Sequence, residues 1–298
     1  MTAAGIQWRF AWATPGDAWE SQWSSLLEQA AAHGAQLVVL PAHAGDALLA
    51  RQHLALARTT LTDGLAAAWS PAVDRVTHGE QLQQAYVDCF GRLAAQFGVI
   101  LAAGSLLLPD DRGILYHQAV VFGADGSILG VQRAAYRSPA ERTLGVGAGE
   151  HPDVVATPIG TLGLVVGEDL YYPEVARLMT LHGAEILVAP TRRRFAGEAG
   201  LLAGLWRDVQ GNQVFGLEAC LLDSDTVPAH SHGACILGPA EMTDQLRGVL
   251  AAATTADDAG VVVGQLDFDA RQQLFDRYDI TRYFNHLFYA SQLLEAHA

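Results

Sequence analysis

Short runs of uninterrupted apolar residues recur along this chain, and each follows a stretch whose apolar residues fall at helical spacing. Residues 19–34 (WESQWSSLLEQAAAHG) read as a helix stopped at Gly34, and QLVVL at 36–40 follows, closed by Pro41. The unit repeats as a helix over 81–98 with the run VILAAGSLLL at 99–108, and again as a helix over 173–183 with AEILVAP at 184–190. A strand that is apolar at every position cannot leave one face in water. Sheets sheathed by helices are therefore expected, which is an α/β protein.

Further strands are expected over LGLVVG (162–167), VFGLEACLL (214–222), GACILG (233–238) and GVVVGQLDF (260–268), with a helix over 199–212. AVVFG (119–123) and ILGVQR (128–133), joined by ADGS, read as a hairpin. No Pro/Ser-rich linker or compositional break divides the chain, so residues 1–298 are read as one domain with a less diagnostic tail from about 270. Residues 41–80 are the least regular part, and LTDGLAAAWSPAVDRVTHG within them reads either as a surface excursion or as a lid over a pocket.

Composition narrows the function classes. The formal charge of −14 and a pI near 5.1 oppose phosphate backbones and anionic lipid surfaces, so neither nucleic acid nor membrane is expected as a partner. The longest apolar stretch, 99–108, is too short to span a bilayer, and the first residues lack the pattern of a signal peptide. A cytoplasmic protein is expected. All 18 residues counted as Lys or Arg are arginine, so no lysine exists anywhere to supply a compact ammonium. The three cysteines, Cys89 in a helix and Cys220 and Cys235 in apolar strands, read as inert core thiols.

Three segments, HGAQLVVLPAHAGD (33–46), ILYHQAVVFGADGSILGVQRAAYRSPAER (114–142) and TPIGTLGLVVGEDLYYPEVARLMTLHGAEILVAPT (157–191), resemble the signature stretches of the carbon–nitrogen hydrolases, the nitrilases and aliphatic amidases. The likeness extends over roughly residues 5–270. It implies a four-layer α-β-β-α sandwich whose subunits join as a homodimer or higher oligomer. It also implies covalent chemistry in which a cysteine attacks, a glutamate takes the thiol proton and a lysine stabilises the developing charge. At the matching positions this chain carries Ala42 for the glutamate, Ala134 for the lysine and Gly167 for the cysteine. None of these side chains can attack, accept a proton or carry charge, and members of such a set act as a unit. The resemblance therefore implies a catalytically inactive homologue acting by ligand binding or subunit association, with the three positions lining one recess. The alternative is an amidohydrolase acting on non-peptide C–N bonds with a rebuilt site.

Several polar residues are candidates for the pocket. Glu141 matches a second family glutamate and is either a ligand contact or a salt-bridge partner of Arg137 or Arg142. Glu168 and Asp169 follow the nucleophile position on what reads as a strand end, where neighbours point to opposite faces. Tyr171 lies in the same segment, and His43 and Asp46 follow Ala42, while His117 lies on the strand entering the lysine segment. The run Arg192, Arg193, Arg194 suits either an anionic ligand or the chain's own carboxylates, and His230 and His232 read as a loop-to-strand entry. No recognised ligand spacing links these histidines and carboxylates, so no metal and no cofactor is expected, and the implied partner is a small molecule.

Overall fold

The computed structural model describes residues 1–9, 16–45, 79–192, 201–222, 233–254 and 259–278, together with Arg282, Asn285 and Leu287. In chain order the first half contributes β1 (Thr2–Arg9), α1 (Gly16–Ala32), β2 (Leu37–Val39), α2 (Gly79–Phe97), β3 (Ile100–Pro109), β4 (Leu115–Phe122), β5 (Ile128–Arg133) and the short α3 (Pro139–Thr143). The second half contributes β6 (Val154–Thr157), β7 (Gly160–Leu164), a 3-10 turn (Gly167–Tyr171), α4 (Pro173–Leu181), β8 (Ile186–Arg192) and α5 (Trp206–Asn212). It ends with β9 (Phe215–Leu222), β10 (Cys235–Leu237), β11 (Val249–Ala252), β12 (Gly260–Gln265) and α6 (Phe268–Arg277).

The strands follow the path β5-β4-β3-β2-β1-β9-β8-β7-β6, with β12 beside β1 and β10 and β11 beyond β9. Helix-then-strand units give the parallel pairs β1/β2, β2/β3, β7/β8 and β8/β9, because a strand that returns through a helix re-enters in the same direction. The hairpin at ADGS gives the antiparallel pair β4/β5.

Period-two alternation explains why the strands carry no polar face. Leu37 and Val39 of β2 join a core with Ile186 and Val188 of β8 and with Phe215, Leu217 and Ala219 of β9, so the two halves of the sheet fold face to face. The alternate residues turn outward: Val38, Leu101 and Ala103 meet Leu27 of α1 and Tyr86 and Phe90 of α2. Across the molecule Leu187 and Ala189 meet Val175 and Met179 of α4 and Val209 of α5. Three cores between four layers make the α-β-β-α sandwich.

Some elements differ from the sequence reading. β1 falls in residues read only for leader signals, and its Ala-Ala-Gly start carries little strand preference. β6 (VVAT) and β11 (VLAA) are four residues long and only partly buried, and neither is among the expected strands. The strand expected over 162–167 stops at Leu164, because the chain then turns into the 3-10 segment. The stretch read as excursion or lid falls almost wholly at 46–78, outside the described residues, as do Asp46, Arg193, Arg194, His230 and His232.

Leu217, fully buried between the sheets, should cost about 2–5 kcal/mol when replaced by alanine. Leu246→Ala, at a site 65% exposed, should change stability by less than about 0.5 kcal/mol. Urea unfolding of the two variants measures both.

Candidate functional site

A cavity of about 270 Å³ opens where the two half-sheets end, lined by the turn after β2, by β3, β4 and α3, and by the 3-10 turn with the end of β8. Ala42, His43, His117, Glu141, Gly167, Glu168, Tyr171 and Arg192 all contribute to it. A wider cleft of about 1040 Å³ lies between the start of α2 and the β4–β5 hairpin, but it holds none of these residues.

A bulge in β3 sets the inner end of the site. Ala102 pairs with Val121 but Ser105 pairs with Ala119, so β3 carries one extra residue there. Gly104 supplies the left-handed backbone of that bulge (φ 73°), and a Cβ there would lie 2.3 Å from the Pro41 carbonyl oxygen. The phase change turns Ser105 and Leu107 toward the face of β4 that carries His117. Ser105 Oγ then lies 2.9 Å from His117 Nε2.

The other imidazole nitrogen, Nδ1, lies 2.9 Å from Glu141 Oε1. Glu141 is positioned by α3, whose capping box has the Ser138 amide donating to Glu141 Oε2 at 2.7 Å and the Glu141 amide donating to Ser138 Oγ at 3.2 Å. Burial on its own would raise this carboxyl. The hydrogen bond and charge of His117 and the donors of Ser138 outweigh it and hold Glu141 at about 2. An ionised carboxylate only accepts, so Nδ1 carries the proton. Neither arginine read as a partner for Glu141 fills that role: Arg137 donates to the Val146 carbonyl, and the bonded cation candidate is His117.

His43 stacks on His117 with ring centroids 5.6 Å apart and planes at 19°. Its backbone is left-handed (φ 61°), a conformation that costs a non-glycine residue of order 1 kcal/mol or more and is concentrated at binding sites. The Ala42 amide donates to the Thr191 carbonyl at 3.3 Å, which ties this turn to β8.

Glu168 and Asp169 lie on the 3-10 turn rather than on a strand end, yet they still point apart. Glu168 lines the cavity, whereas Asp169 is 1% exposed and accepts from the amides of Ala135 (3.1 Å) and Tyr136 (2.7 Å). Here burial wins over the two amides and raises the carboxyl to about 6. Tyr136 stacks on Tyr172 at 3.5 Å and donates to Glu174 at 2.5 Å, which pushes its phenol up to about 12.

Of the three matched positions, Ala42 and Gly167 line the cavity and Ala134 does not. Ala134 is 2% exposed in the inter-sheet core, where its amide donates to the His117 carbonyl at 2.8 Å. Sequence reasoning missed Ser105 and Ser138. The S-x-x-E spacing of Ser138 and Glu141 is a capping signature that marks the second, and Gly104-Ser105 interrupting an apolar run is the faint mark of the first. The three cysteines are buried and line neither cavity. Among the described residues no three His, Cys, Asp or Glu side chains group to hold a metal, and no helix is long and apolar enough to cross a membrane.

Glu141→Gln should cost about 1.5–3 kcal/mol at neutral pH, because it weakens a buried charge-assisted bond. A carboxyl whose folded value is depressed stabilises above its ordinary value near 4.5 and loses that contribution as pH falls toward about 2. The gap between wild type and Glu141→Gln in urea unfolding should therefore close across that interval. Asp169 has the opposite sign: its contribution is present below its ordinary value near 3.8 and is lost as pH rises through about 6. Asp169→Asn should flatten the stability profile across that window, and an unchanged slope would exclude this carboxyl as its source.

A family model described as carbon–nitrogen hydrolase matches residues 2–219. The chain is 31% identical over 122 residues to a probable hydrolase of Bacillus subtilis, covering 41% of this chain and 23% of that protein. It is 28% identical over 173 residues to a nitrilase of Bradyrhizobium diazoefficiens, covering 56% of this chain and 51% of that one. The matches thus span about half or less of these relatives. A crystal structure of a carbon–nitrogen hydrolase from Helicobacter pylori shares the fold, with a TM-score of 0.73 at 22% identity over 98% of each chain. With the family model matching well over half its length, this chain belongs to the carbon–nitrogen hydrolase family.

Proposed function

We propose that this family member binds a small molecule in the cavity at the end of the sandwich without cleaving it by the family's covalent route. The observation that carries the reading is the lining itself: at positions 42 and 167 it offers a methyl group and a hydrogen, where the resemblance calls for a carboxylate and a thiol. No lysine exists to reach in from elsewhere. The polar groups that remain, His43, His117, Glu141, Glu168 and Arg192, suit recognition of a small polar ligand in a wet pocket. Association with further subunits is a second role the family likeness suggests.

One observation favours the other reading, a hydrolase with rebuilt chemistry. Ser105, His117 and Glu141 form a hydroxyl–imidazole–carboxylate chain, the order used in acyl transfer. Ser105 is 0% exposed and does not line the cavity, so its hydroxyl lacks the access a nucleophile needs.

Incubation with amides, nitriles and ureido acids should give no turnover and no covalent adduct at residue 167. A thermal-shift screen of small polar molecules should instead find a ligand, which at about a hundred times its Kd adds roughly 2.7 kcal/mol of stability. Turnover that disappears in Glu141→Gln would overturn the reading in favour of the rebuilt hydrolase.

A further inference from the structure

We infer that His117 and Gly167 are one coupled unit: the imidazole occupies the space that any side chain at 167 would need, so the nucleophile position is blocked as well as empty. A Cβ built on Gly167 would lie 2.7 Å from His117 Nδ1 and 2.9 Å from Cε1. Both separations are below the closest approach of real Cβ atoms, so the ring would have to move.

Movement is opposed on several sides. Nδ1 and Nε2 are each held at 2.9 Å, by Glu141 and Ser105, and Glu141 is fixed in turn by the Ser138 amide. His43 covers a ring face, and the imidazole is only 7% exposed. Displacing the ring therefore separates a buried carboxylate from its hydrogen-bond donor, which leaves a buried charge uncompensated. His117 is thus a positioning residue: it decides what residue 167 can be and how far the cavity floor extends. Replacing Gly167 by cysteine would not on its own rebuild the family site, since the thiol and the imidazole compete for one volume.

Gly167 also has a left-handed backbone (φ 59°), which adds a cost for any side chain there. That cost does not depend on residue 117, so a double-mutant cycle separates the two effects. Gly145 provides the calibration, because its φ is 72° and nothing lies within 4 Å of a Cβ built there.

The experiment measures melting temperatures of ligand-free protein for Gly167→Ala and Gly145→Ala, each in the wild type and in His117→Ala, so its outcome is independent of whether the cavity binds a ligand. The inference expects Gly167→Ala to lower Tm in the wild type by at least about 3 °C more than in His117→Ala. In the His117→Ala background its loss should approach that of Gly145→Ala. A His117 that merely supports the fold gives additive losses, and equal losses at 167 in the two backgrounds overturn the inference. Should His117→Ala fail to fold, His117→Ser serves as the second background under the same criterion, since it too removes the ring.

Discussion

Burial of the inner faces of the two half-sheets against each other is the constraint on which the remaining features depend. β1 makes it possible, because residues 2–7 pair with β12 while residues 7–9 pair with β9, so a single strand belongs to both halves. The core between the halves, built from Leu37, Val39, Val188, Leu217 and their neighbours, is apolar and buried. Polar groups at its open end must then satisfy one another. The run from Ser105 through His117 and Glu141 to Ser138 does so.

Two buried carboxylates beside this core behave oppositely, although burial acts on both. Glu141 has an imidazole as well as an amide and a hydroxyl, and falls to about 2. Asp169 is raised by burial to about 6, because its two amides and the charge of His117, to which it is not hydrogen-bonded, do not offset that cost and Glu141 repels it. The difference lies in the charge partner rather than in depth. Only Glu141 faces the cavity, while Asp169 fixes the loop after β5 against the 3-10 turn.

The absence of a side chain at residue 167 and the position of His117 are mutually consistent. Where residue 167 has no Cβ, a ring on β4 can approach its backbone, and that ring donates from Nδ1 to Glu141 while Nε2 bonds the Ser105 hydroxyl. The space beside Gly167 is thereby filled by a hydrogen-bonded ring rather than left as a larger void. The ring shares the lining of the open volume of about 270 Å³ with His43, Glu168, Tyr171 and Arg192.

Much of this was legible from residues alone. Apolar runs after helical segments were enough for the α/β class, since a strand without a polar face must be covered twice. Ala42 and Gly167 line one cavity together with His43, His117, Glu141, Glu168, Tyr171 and Arg192, the residues named from the motifs as pocket candidates. Tertiary structure alone decided the rest. It placed the weakly strand-forming start of the chain at the joint of both half-sheets, withdrew Ala134 into the core, and gave Glu141 a histidine rather than an arginine as partner. Each of these depends on contacts between residues distant in sequence: His117 and Glu141 are 24 positions apart, the capping turn at Ser138 holds the glutamate against the ring, and the bulge at Gly104 brings Ser105 to the ring's other nitrogen. Periodicity reports which side of an element is buried. It carries no information about which residue will be met there.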